Sequence, residues 1–200
     1  MPRHSTARTL ARRMVAPLAV ALAVAAPAVG AAEPAAPPGL PLDDLRAAAS
    51  AQSPEAADAV ERLLAGSGSV DPFAPPPKNV PQPFMPAPTV GPGCGGGVVP
   101  YAQTTAWVHP GPHDSVPLGS IQVFVDRTID VPIADSSMTL VWLNVENLRG
   151  GIGTLDAAGP HLTATVDSGP GAVMAAVFGS IRYANGAFCQ VVYTMGGFFA

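Results

Sequence analysis

The stretch VMAAVFGSIRYANGAFCQVVYTM, residues 173–195, decides the fold. Two runs rich in β-branched and aromatic residues, 173–183 and 188–195, flank Asn185 and Gly186. Asn-Gly between such runs signals a tight type I′ hairpin, because that turn needs positive φ at both central positions. The same character recurs upstream between Gly, Pro and Asp turns. Residues 98–108 are rich in Thr, Val and aromatic side chains, and Ile121, Val123 and Val125 alternate with Gln122 and Asp126. Leu162, Ala164 and Val166 alternate with Thr163 and Thr165, while 138–145 is apolar at nearly every position. Six strands, seven with 129–133, at a spacing of about ten residues imply an all-β fold. The expected form is a small antiparallel β-sandwich, immunoglobulin-like in architecture, with a small barrel as the neighbouring solution.

Within 138–145 (MTLVWLNV), Met138, Leu140 and Trp142 compete with Val141, Leu143 and Val145 for both faces of one strand. A half-buried strand alternates apolar and polar, so this one is either central and covered on both sides or presents a surface to a partner. The Pro-rich segment or the helices upstream are the candidate cover. On the second reading Met138, Leu140, Trp142, Val141 and Leu143 form a surface for a partner or for a second copy of the chain.

Two cysteines leave room for one bridge, and Cys94 and Cys189 stand at the two ends of the β region. In an exported chain such a pair is expected to be oxidised. Closing a loop of that length contributes about 4–5 kcal/mol on the chain-entropy model. The spacing and the position of Trp142 do not fit the immunoglobulin cysteine pattern, so that likeness extends to architecture only.

Composition separates the rest of the chain. Over 200 residues, 12% are charged and Pro and Gly number 24 and 21, near the level of low-complexity sequence. These averages conceal unlike pieces. Residues 1–31 carry Arg3, Arg8, Arg12 and Arg13 ahead of an apolar run with small residues after it, the pattern of a cleaved export signal. The run is too short to span a bilayer comfortably, so the mature chain is expected to have no transmembrane helix. Residues 32–66 form an Ala-rich leader with short helices: Leu42, Leu45 and Ala49 make one stripe, and Ala56, Val60, Leu63 and Leu64 another. Ser53-Pro54-Glu55 is a helix start, and Gly66 a stop. Residues 67–93 hold nine Pro and read as a Pro-rich linker, extended because neither helix nor sheet propagates through such a run. Residues 94–200 hold ten of the twelve aromatic residues and form the β domain.

The formal charge of −4 becomes −8 once the four N-terminal Arg leave. That balance excludes a nucleic-acid footprint and disfavours anionic lipids. Enzyme signatures such as Gly-x-Ser-x-Gly and His-Glu-x-x-His do not occur. The densest ligand-like cluster is His109, His113 and Asp114, to which His161 is a candidate addition. It reads first as an exposed hairpin loop and second as a Zn or Cu site. Asp126, Asp130, Asp135, Asp156 and Asp167 fall near strand ends; they read as turn formers and, as the alternative, as acid/base carboxylates of a hydrolase. No cofactor is implied.

The order of signal peptide, Pro-rich segment, Gly-Cys-Gly-Gly-Gly start and small Cys-closed β domain resembles uncharacterised exported envelope proteins of high-GC, mycolic-acid-bearing actinobacteria. The dominance of Ala, Pro, Gly and Arg over a single Lys agrees with a high-GC genome. The resemblance implies location and no activity. The expected function is a non-enzymatic, secreted or cell-envelope module whose β domain binds a protein, a wall component or itself. The alternative is one subunit of an oligomeric envelope channel.

Overall fold

A computed structural model describes residues 38–67, 80–113 and 115–200, all within one compact unit, Ala36–Ala200. The expected signal at 1–31, the first part of the leader, residues 68–79 of the expected linker and Asp114 lie outside the described residues.

The chain order is β1 (Leu40–Pro41), α1 (Leu42–Gln52), α2 (Pro54–Ser67), β2 (Gln82–Pro83), β3 (Ala87–Val90), β4 (Tyr101–Thr104) and β5 (Ala106–Pro110). It continues with β6 (Ser120–Asp126), β7 (Ile133–Ser136), β8 (Thr139–Asn144), β9 (Arg149–Thr154) and β10 (Asp156–Ala158). It ends with β11 (His161–Asp167), β12 (Ala172–Tyr183) and β13 (Phe188–Phe199). The strands make two antiparallel sheets. One runs β1-β9-β8-β12-β13-β3-β4, with β7 also paired to β12; the other runs β10-β11-β6-β5-β2. The all-β expectation holds, but the described residues form thirteen strands in place of the six or seven expected.

Alternation builds the layers. Ile121, Val123 and Val125 on β6, Val108 on β5 and Leu162 on β11 meet Leu140 and Trp142 on β8 and Val173, Ala175 and Val177 on β12 in one core. The opposite face of β8 and β12 carries Val141, Leu143, Met174, Ala176 and Phe178, and α1 and α2 cover it with Leu45, Ala49, Ala56, Ala59, Val60 and Leu63. The helices are thus docked on the eight-stranded sheet. α2 starts as its sequence dictates, with the Ser53 hydroxyl accepting the Ala56 N–H at 3.0 Å. Two chain segments switch sheets at a single residue: Thr105 separates β4 from β5, and Leu155 separates β9 from β10.

Three expectations need correcting. Met138, Leu140, Val141, Trp142 and Leu143 are no surface: four are fully buried and Trp142 is 5% exposed. Their two apolar faces are used inside the chain, one against the second sheet and one under the helices. The 183–187 turn is not type I′. Gly186 has φ +85, while Asn185 is not among the positive-φ residues. The Gly186 N–H donates to Tyr183 O, the Tyr183 N–H to Ala187 O, and the Ala187 N–H to Asn185 Oδ1. This is a three-residue loop closed by a left-handed glycine, because the Asn side chain bonds its own backbone. Lastly, residues 82–90, inside the expected linker, supply β2 and β3, which pair with β5 and β13. Pro83 and Pro88 sit in strands of two and four residues near the sheet edges, where a missing donor is tolerated.

Candidate functional site

The two sheets differ in what lies outside them. Of the described residues, α1 and α2 pack on the outer face of the eight-stranded sheet, whereas on the outer face of the five-stranded sheet Ser120, at the end of β6, is buried and the other side chains remain partly exposed or exposed. Register places that face as a grid. Trp107 on β5 stands opposite Phe124 on β6, which stands opposite Thr163 on β11. The adjacent row is His109, Gln122 and Thr165, and on the other side Asp126 stands opposite His161. Each of these residues occupies the outward phase of a strand whose inward phase is Val108, Ile121, Val123, Val125 or Leu162.

The aromatic pair is held in place by its neighbours. The Trp107 indole N–H donates to Asp126 Oδ2 at 3.1 Å, and Asp126 Oδ1 lies 2.9 Å from His161 Nδ1. The His161 and Phe124 rings meet edge to face, centroids 6.0 Å apart. One carboxylate thus accepts from the indole and lies beside the imidazole on a partly exposed surface. No Lys or Arg occurs in the five strands of this sheet. Such a surface stacks on flat apolar groups through its rings and exchanges hydrogen bonds through its amide, hydroxyls and imidazoles.

The other sequence candidates separate. Cys94 and Cys189 are joined, with Cα atoms 5.2 Å apart. The bridge lies beside Thr128, whose amide donates to the Tyr183 hydroxyl at 2.9 Å. His109 and His113 are adjacent, ring centroids 3.4 Å apart, and His113 closes a small turn with Val116. His161 does not join them: its partner Asp126 is four residues along β6 from Gln122, the partner of His109, about 13 Å away at strand spacing. No cluster of three or more potential metal ligands occurs among the described residues. Asp130 pairs with Arg127, and Asp126 and Asp167 stand at opposite ends of the β6–β11 ladder. Asp135 lies on β7 of the other sheet, and Asp156 on the short edge strand β10.

Beside α2 a groove of about 190 Å³ is lined by Glu55, Asp58, Arg62, Phe178, Val192 and Tyr193. Burial pushes the Tyr193 phenol up to about 12, although the Arg62 guanidinium stacked on its ring opposes the shift. Arg62 itself bonds Asp58 at 2.6 Å.

No protein-family model matches the sequence, and no curated protein or solved structure matches it. The outer face of the five-stranded sheet is the candidate site. Its central residues, Trp107 and Phe124, did not stand out as functional in the sequence, though the signal was there. In 120–126 (SIQVFVD) the inward phase is Ile, Val and Val, and the outward phase places an aromatic between Gln122 and Asp126.

Proposed function

We propose that this chain is an exported, non-enzymatic cell-envelope module that binds an envelope component through the outer face of its five-stranded sheet. The observation that carries the reading is the Trp107–Phe124 pair, set outward on a regular sheet and braced by Asp126 and His161. Solvent-facing strand positions are ordinarily polar, aromatic residues are enriched at interfaces, and Trp is among those most enriched at binding hot spots. Export is supported by the basic-then-apolar N-terminal sequence and by the Cys94–Cys189 bridge, which persists in oxidising compartments. No helix among the described residues is long and apolar enough to cross a membrane. The channel alternative draws no support from the strands. The outer face of one sheet lies under helices, and the other mixes rings with amide, hydroxyl and carboxylate groups instead of an apolar band.

The test is retention of the mature protein on purified envelope fractions. Trp107→Ala and Phe124→Ala are expected to lower retention tenfold or more while melting close to the parent, since neither ring is in the core. Full retention of both variants would remove the assignment.

A further inference from the structure

We infer that the ligand of this face is a neutral glycan. The inference rests on the binding role proposed above and adds its chemical class. Charge narrows the choice first. An anionic polymer such as a polyphosphate or a polyuronate would meet no Lys or Arg on the five strands, and Arg127, just past the end of β6, is already paired with Asp130. A cationic ligand fares little better. The carboxylate beside the rings, Asp126, already takes the Trp107 N–H and faces His161. Asp156 lies on the edge strand and Asp167 at the far end of β11. The lack of charge extends into the neighbouring chain, because residues 79–113 contain no Lys, Arg, Asp or Glu.

Shape and chemistry narrow it further. A peptide added as a strand needs a free edge, and the edges of this sheet are β10 with three residues and β2 with two. A lipid surface calls for a continuous apolar patch, but here Gln122, Thr163, Thr165 and His109 surround the two rings. What suits a pair of rings flanked by an amide and hydroxyls is a ligand that alternates flat C–H faces with hydroxyls. The Trp107 and Phe124 rings, with Cβ atoms about 5 Å apart as cross-strand neighbours, take the C–H face of a sugar by dispersion. The Gln122 amide and the Thr163 and Thr165 hydroxyls take its hydroxyl groups.

The experiment uses the mature protein, its Trp107→Ala variant and the same envelope fraction divided four ways: untreated, protease-digested, solvent-extracted to remove lipid, and oxidised with periodate. Periodate cleaves the C–C bond of vicinal diols, being reduced to iodate as each carbinol carbon becomes an aldehyde. The expected result is at least tenfold lower retention on the oxidised fraction and on no other, with Trp107→Ala failing on all four. If Trp107→Ala binds as the parent does, the site itself is wrong. If Trp107→Ala fails but periodate leaves retention intact, the site stands and the glycan is overturned; loss on protease digestion or lipid extraction then names a protein or a lipid instead.

Discussion

Trp107 and Trp142 have opposite fates. Trp142 is 5% exposed, its ring lying over Gly151, where an added Cβ would come within 2.7 Å of the indole nitrogen. Trp107 points away from the core with its N–H on Asp126. In the sequence Trp142 stood out because its neighbours are apolar on both sides, while Trp107 was one residue within a β run. Neighbour hydrophobicity identified the strand that is most deeply covered, and the phase of alternation marks the ring that faces outward. Acrylamide quenching of tryptophan fluorescence is accordingly expected to show an accessible and a protected population, with Trp107→Phe removing the accessible one. A single protected population in the parent protein would contradict this placement. Tyr193 gives a second expectation at this scale. Burial favours its neutral phenol, so the stability it contributes is complete below pH 10 and is lost as pH rises toward 12. Absorbance titration near 295 nm is expected to show a tyrosine step near pH 12 that disappears in Tyr193→Phe.

Among elements, the helices α1 and α2 were legible to within a residue or two because stripe, cap and stop all agree. Their role was not, since no local signal says which surface an amphipathic helix covers. The doubly apolar β8 holds the complementary half of that information: Val141 and Leu143 require a cover, and the helices supply it. Leu63 is fully buried in that layer, and Leu63→Ala is expected to cost about 2–5 kcal/mol in denaturant unfolding. Deletion of both helices is expected to leave a chain that self-associates in light scattering through Val141, Leu143 and Met174. A monodisperse, equally stable deletion variant would contradict the three-layer arrangement. Strand β9 escaped the sequence for a packing reason. Its RGGIGT reads as loop, yet Gly150 lets Leu45 of α1 approach, an added Cβ falling 2.7 Å from Leu45 Cδ2, while Gly151 makes room for Trp142. The bulge in β12 has a similar origin. Gly179, at φ +131, passes so close to Ser137 O that an added Cβ would lie 2.4 Å away.

At the scale of the whole molecule, two sheets share one core, helices close one outside, and the bridge ties the β3–β4 connection to the last strand. The linkage spans 95 residues, and Cys94→Ser with Cys189→Ser is expected to lower stability by about 4–5 kcal/mol on the chain-entropy model. The sequence made this pairing legible through position alone, whereas the strands at 82–90 were hidden because Pro-rich composition normally opposes strand formation. With one sheet covered by helices, the grid on the other is where binding is expected to act. Hydroxyl-radical footprinting of the mature protein with and without purified wall material tests this most directly. Trp107, Phe124 and His161 are expected to be protected, while Met85, between β2 and β3, and Tyr101, on β4, stay unchanged at 57% and 50% exposure. Protection at Met85 and Tyr101 with Trp107 still reactive would contradict that placement.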